Sequence, residues 1–198
     1  MSFGSAIPGE TPIDPSGLKN KSITSRRQLN IAEAENIRHA VVKYLSSRPT
    51  SRIAPFDFAW FHKLHEEMFG SVWQWAGKIR NHDLNLGVPF HQVRNELSSL
   101  VEDLPTWSTY GISMPEQAAR LHHRAVKIHP FENGNGRWSR LLSNIWLKRN
   151  QQPITAWPEQ LIGDESAIRG EYLTAIKAAD RGEYSLLIEM HEAHAEKD

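Results

Sequence analysis

From Leu29 onward, prolines and glycines cut the chain into stretches that each carry apolar residues at helical spacing, which leaves little room for a sheet. Ile37, Val41, Tyr44 and Leu45 recur on one face of a run from Leu29 to Leu45, and Pro49 stops it. Pro55 is placed to start a second helix, in which Phe58, Phe61, Leu64, Met68 and Phe69 repeat before Gly70. Helical spacing returns over Val93 to Leu104, Glu116 to Ile128 and Arg137 to Arg149, then near Asp164 to Ala179 and Tyr184 to His194. The stretch from Trp73 to His91 breaks the pattern. Gly77, Asn81, Asp83, Asn85, Gly87 and Pro89 alternate there with single apolar residues, as in a loop or short hairpin. The expected class is all-α with one irregular excursion. Residues 1–25, rich in proline and glycine, read as an extended lead-in; 26–54 hold an N-terminal helix, and 55–198 form the main domain.

Composition removes several functions. The 23 basic and 23 acidic residues balance, whereas a nucleic-acid-binding domain usually carries excess positive charge, so nucleic acid is disfavoured as a partner. With no cysteine in 198 residues, disulfides, zinc–thiolate sites and thiol catalysis are excluded. The first residues lack the basic and apolar blocks of a signal peptide, and no apolar run approaches the ~20 residues that span a bilayer. A cytoplasmic protein with no membrane partner is the expectation. His62 with His65, and His122 with His123, lack a third ligand spaced to complete a zinc site. The 7 tryptophans are read as packing anchors, not as base-stacking platforms.

The chemistry is concentrated in residues 129–140, His-Pro-Phe-Glu-Asn-Gly-Asn-Gly-Arg-Trp-Ser-Arg. A glycine-rich loop that runs into a helix presents backbone N–H groups at the positive end of the helix dipole, which suits phosphate. Gly134 and Gly136 allow close approach of the backbone. Arg137 and Arg140, three apart on the first turn, can converge on phosphate oxygens. Glu132 supplies a hard oxygen ligand, and magnesium is commonly held by one or two carboxylates plus substrate phosphates. His129 is the natural proton acceptor near neutral pH. A Gly-Asn-Gly turn alone is weak evidence, and a histidine before proline is more often structural. Base, acid, glycine loop and paired arginines together are the ingredients of phosphoryl or nucleotidyl transfer.

These twelve residues resemble the signature of the Fic family, His-x-Phe-x-(Asp/Glu)-Gly-Asn-Gly-Arg-x-x-Arg. Here the acid, Glu132, stands directly after Phe131, and Asn133 precedes Gly134. The flanks Leu64-His65-Glu66-Glu67-Met68-Phe69-Gly70 and Trp75-Ala76-Gly77-Lys78-Ile79-Arg80 are also similar to the family, so the resemblance covers roughly residues 55 to 195. It implies a Fic-type helical bundle with a short β-hairpin flap. The implied activity is transfer of AMP from ATP to a serine, threonine or tyrosine hydroxyl of a protein target. By the same resemblance, His129 deprotonates the hydroxyl and Glu132 holds Mg2+ between the α- and β-phosphates. Asn133, Gly134, Asn135 and Gly136 form the phosphate cradle, Arg137 and Arg140 bind the β- and γ-phosphates, and Phe131 anchors the loop. Arg80, Asn81, His82, Asp83, Leu84, Asn85 and Leu86 would line the target-docking flap.

Many members of the family carry an inhibitory glutamate in Ser/Thr-x-x-x-Glu-Gly/Asn that pairs with the second motif arginine. Glu35-Asn36, with Ile31 in place of the hydroxyl residue, gives the expectation of a Glu35–Arg140 pair; Glu189, followed by Met190, is the rival. Other readings stay open: a different donor such as UTP or CDP-choline, removal of AMP, or a silent interaction module bound to an antitoxin or to a second copy. The phosphotransferase Doc branch fits less well, because both Gly134 and Gly136 are present. The short layout is similar to the bacterial proteins labelled mobile mystery protein B, a label that names no substrate.

Overall fold

A computed structural model of the chain describes residues 14–158 and 166–196. Asp14 caps a short 3-10 turn at Pro15–Gly17, after which buried Leu18 pairs with Trp73 in an isolated antiparallel bridge. Ser25 then starts helix α1 (Arg26–Leu45) with a capping box. Its hydroxyl accepts from Gln28 N at 3.3 Å and Gln28 Oε1 accepts from Ser25 N at 3.2 Å, satisfying two donors that the helix end leaves open. Helix α2 (Phe58–Phe69) is capped by Asp57, whose carboxylate accepts from Trp60 N at 2.7 Å; the helix therefore begins after Pro55 rather than at it. Helix α3 (Val93–Asp103) ends in a 3-10 turn around Pro105, and Ser113 caps helix α4 (Met114–Ile128) with Pro115 in its first turn. Helices α5 (Asn135–Arg149), α6 (Ala167–Ala179) and α7 (Ser185–Ala193) complete the described elements. The expected start of α6 near Asp164 lies outside the described residues.

The fold is all-α, and the pairing of its helices decides where the motif sits. α4 packs closely on α5, α1 on α2, and α7 on α4. The main core runs from Leu29 and Tyr44 on α1 through Phe61, Leu64 and Met68 on α2 to Leu142 and Ile145 on α5. A smaller apolar cluster of Ala119, Ala175 and Leu187 fastens α6 and α7 to α4. On α1 the fully buried stripe is Leu29, Glu33, Asn36, Ala40 and Tyr44, with Ile37, Val41 and Leu45 partly buried beside it. Two polar residues in the middle of a buried stripe need partners. Asn36 caps the end of α2, donating to Glu67 O at 2.9 Å and accepting from Ser71 N at 2.9 Å. Glu33 reaches the motif.

Residues 80–91 do not form the expected β-hairpin. They are an irregular loop that ends in a 3-10 turn at Phe90–Gln92, and the nearest backbone pairing is an isolated bridge from Ile79 to Phe131. Asp83 Oδ1 accepts from Phe90 N at 2.7 Å, closing the loop through a side chain instead of a strand ladder. Among the described residues, no helix is long and apolar enough to cross a membrane.

Candidate active site

The motif is the connection between the two central helices. α4 ends at His129, which adopts the left-handed conformation (φ 51°, ψ 60°) usually filled by glycine at a helix C-terminus. A side chain there costs roughly 1–2 kcal/mol and persists only where its surroundings hold it. His129 is buried, and loss of hydration, with the nearby Arg80 cation, lowers its pKa to about 4. At neutral pH it is an uncharged imidazole able to accept a proton.

α5 starts at Gly134 (φ 78°), where a Cβ would stand 2.6 Å from the Phe69 ring, so glycine is required both by conformation and by space. The polar residues around it divide into braces and groups aimed at a ligand. Asn135 is a brace: only 2% exposed, it accepts from Phe131 N at 2.9 Å and donates to Phe131 O at 2.8 Å. Its side chain therefore braces the loop through one amide N–H and its carbonyl oxygen. Asn133 Oδ1 likewise accepts from Gly134 N at 2.6 Å. Phe131 is fully buried, edge-on to Trp138 at 5.1 Å, as expected of an anchor.

His65 on α2 completes the bracing. Its Nδ1 accepts from Gly77 N at 3.0 Å, which leaves Nε2 to donate to Asn133 O at 3.0 Å, and its ring stacks on Phe131 at 3.7 Å. Burial lowers its pKa to about 3, consistent with a neutral hinge between α2, residues 73–77 and the motif. In the sequence His65 stands beside His62 as an incomplete metal pair and within the Leu64–Gly70 flank of the family resemblance; its place on the apolar face of α2 is the signal for bracing.

Arg137 and Arg140 part company. Arg140 is buried, 5.7 Å from the Tyr172 ring. Arg137, packed over the Phe69 ring at 4.8 Å, pairs with Glu33: Nη1 lies 2.7 Å from Glu33 Oε2, while Glu33 Oε1 accepts from Trp73 Nε1 at 2.6 Å. The Glu35–Arg140 pair does not form. Glu35 is 56% exposed and binds Arg38 at 2.8 Å, and Glu189 is exposed on α7. Glu33 and Asn36, three apart, share a face of α1, whereas Glu35 and Asn36, adjacent, cannot.

Glu132 lies at the rim with His82 Nε2 3.5 Å away. No cluster of three acidic, histidine or cysteine groups able to hold a metal occurs among the described residues. A single half-exposed carboxylate suits Mg2+ carried mainly by substrate phosphates. Of the flap residues, Asn81, His82, Asp83, Asn85 and Leu86 are exposed and Leu84 partly so. Arg80 is the exception and a correction: its side chain is buried and turned into the motif.

Comparison with known proteins decides the family. The sequence model of the Fic/DOC family matches residues 55–147. Residues 55–147 are a Fic/DOC family domain. Protein adenylyltransferase fic-1 of Caenorhabditis briggsae is 31% identical over 125 residues, 61% of this chain and 23% of the relative. Protein adenylyltransferase Fic of Drosophila willistoni is 32% identical over 126 residues, 61% of this chain and 24% of the relative. The chain thus spans about a quarter of the length of these curated relatives. Fic-1 from C. elegans (residues 134–508) superposes with a TM-score of 0.70 at 26% identity, covering 87% of this chain and 50% of that one. BepC of Bartonella tribocorum, solved with bound AMPPNP, gives 0.66 at 20% identity, covering 96% and 97%. The Fic/DOC match includes α2 to most of α5, while α1 with Glu33 lies before it.

Proposed function

We propose that this Fic/DOC domain transfers AMP from ATP to a hydroxyl side chain of a protein target. The observation that carries the reading is the placement of charge around the start of α5. Arg137 there is paired with a carboxylate, the kind of anionic oxygen a phosphate also offers, and the neutral imidazole of His129 closes the preceding turn. The curated relatives named protein adenylyltransferases support it.

In this reading His129 takes the proton of the target hydroxyl as its oxygen attacks the α-phosphorus, and the bond from that phosphorus to the α–β bridging oxygen breaks, releasing pyrophosphate. The N-terminus of α5, with Gly136 and the Arg137 and Arg140 guanidinium groups, stabilises the negative charge that moves onto the leaving group. Asn133, Gly134 and Asn135 hold the cradle in shape. Glu132 would ligate Mg2+, which when bound neutralises phosphate charge. The exposed part of the flap, from Asn81 to Leu86, would receive an extended target segment.

Glu33, not Glu35, is the inhibitory residue in this proposal: while it holds Arg137, the arginine cannot bind phosphate. The test is incubation with Mg2+ and ATP labelled at the α-phosphate, with and without a cell lysate as a source of targets. Label on protein that disappears in His129→Ala supports the proposal. Label that persists in that variant, or that follows the γ-phosphate instead, overturns it.

A further inference from the structure

His129 sits in a conformation its residue type disfavours, at the end of a helix whose last carbonyls have no helical partners. Both demands are met by Arg80. Its Nε donates to His129 O at 2.7 Å, its Nη2 reaches Ile128 O at 3.5 Å, and its main-chain N–H donates to Pro130 O at 3.0 Å. One residue therefore gathers consecutive carbonyls of the turn, and its positive charge lies at the negative end of the α4 dipole. The other side of the same guanidinium belongs to the loop. Nη1 donates to His82 O at 2.9 Å, and Nη2 donates to Val88 O. The neighbouring carboxylate, Asp83, stands off at 3.7 Å and is exposed, so main-chain carbonyls are what this enclosed side chain binds.

A second observation joins loop and base. A Cβ on Gly87 (φ 97°) would stand 2.5 Å from His129 Cβ and 3.0 Å from Arg80 Nη2, so the loop backbone rests directly on the histidine.

We propose that Arg80 is a positioning residue that holds His129 in its left-handed turn and ties residues 81–89 to that turn, so that flap and base are set by one clamp. The inference rests on the AMP-transfer reading for its kinetic consequence, but not for its structural one. A target segment seated on the flap is thereby brought into register with the base. Lysine cannot replace the clamp, because a single ammonium on a flexible stem does not span acceptors on both sides of a planar fork.

The test uses the full chain with Arg80→Met and Arg80→Lys. In Arg80→Met, kcat for AMP transfer should fall roughly 100-fold, as expected for a base displaced by about 1 Å. KM for ATP and binding of a non-hydrolysable ATP analogue should stay within about threefold of wild type, since the groups proposed to hold phosphate lie elsewhere. Arg80→Lys should recover only part of the loss. A readout independent of activity is the NMR titration of the His129 ring, assigned by its absence in His129→Gln. The ionisable groups around the clamp are Asp83 and His82 on the loop and Glu132 on the motif. Removing the Arg80 cation and loosening the turn both move the His129 titration upward from about 4. If Arg80→Met does not fold, Arg80→Lys carries the same readouts. An unmoved His129 titration, kcat within threefold of wild type, or a parallel loss of ATP-analogue binding overturns the proposal. A wild-type chain that labels no protein sinks the AMP-transfer reading instead, and the titration then decides Arg80 alone.

Discussion

Replacing Glu33 with alanine should make the protein less stable and more active at once. The Glu33 side chain is 6% exposed and makes two bonds, to Trp73 Nε1 at 2.6 Å and to Arg137 Nη1 at 2.7 Å. Hydrogen bonds to a charged group contribute about 1.5–3 kcal/mol, and because Arg137 is 30% exposed the pair is discounted for solvent screening to roughly 1–2 kcal/mol. If Arg137 must leave Glu33 before binding phosphate, that free energy is also the penalty on the competent state, about 5–30-fold in population. Glu33→Ala should therefore raise AMP transfer by roughly 5–30-fold at ATP below saturation. It should also lower stability by roughly 1–3 kcal/mol, because the Trp73 indole N–H is left buried without its acceptor. The assay pairs incorporation of label from α-labelled ATP with urea unfolding of the same preparations. Glu35→Ala is the control: its carboxylate faces solvent beside Arg38 and His39, and neither activity nor stability should change. Equal rates for wild type and Glu33→Ala, with ATP binding intact, would refute the reasoning; so would an equal rise in Glu35→Ala.

Gly134→Ala sets a Cβ against the Phe69 ring in a left-handed backbone, and urea unfolding should show a loss of roughly 2 kcal/mol or more; an unchanged midpoint would mean the turn is not held as described. Asn135→Ala strips the Phe131 N–H and C=O of their partner, which should cost roughly 2 kcal/mol and reduce kcat more than it raises KM for ATP. If that variant changes only KM, Asn135 contacts the nucleotide after all. Acid should destabilise the fold, because burial depresses His65 to about 3, His129 to about 4 and His191 to about 3. The unfolded chain takes up protons near pH 6.5 while the native state does not. The stability these groups lend is complete above that pH and is lost as pH falls toward their folded values, by up to about 1.4 kcal/mol per pH unit for each. Urea midpoints that stay constant from pH 7.5 to 5 would contradict this. The kinetic counterpart is that kcat, measured at temperatures where the fold persists, should not decline between pH 8 and 6, since His129 remains neutral throughout that range.

Helix identity was readable because the breakers are strong and the apolar spacing regular, as the match of α3, α4 and α5 to their proline and glycine boundaries shows. The motif was readable for the same reason: its residues are contiguous, so their proximity needs no tertiary knowledge. The hairpin was not, because alternating single apolar residues describe either a strand or a loop that turns its carbonyls onto a guanidinium. Glu33 was legible in principle. The stripe Leu29, Glu33, Asn36, Ala40 and Tyr44 follows the helical period, but reading the motif letter by letter selected the neighbour of Asn36 instead of the residue one turn before it. No local rule would have separated Arg80 from the loop residues that follow it, since its acceptors lie at 82, 88 and 128–130.

The bracing also argues for how the site divides its labour. Asn135 braces the main chain of the motif at Phe131, and His65 ties Asn133 O of the motif to Gly77 N. Phosphate recognition therefore falls to the start of α5 and to the arginines, and the proton step to His129. Such a division predicts different kinetic signatures for the two groups. Substitutions of the braces displace the base and the cradle together and should be felt in kcat and in stability, with losses that do not add because they act through one turn. Arg137→Ala should act differently. It removes a phosphate contact and also releases Glu33, so KM for ATP should rise roughly tenfold or more, while the Trp73–Glu33 bond survives and stability falls only by the roughly 1–2 kcal/mol of the lost pair. A large drop in the midpoint for Arg137→Ala would show that the Glu33 pair holds α1 to the bundle, and that release of inhibition must involve movement of the helix rather than of one side chain.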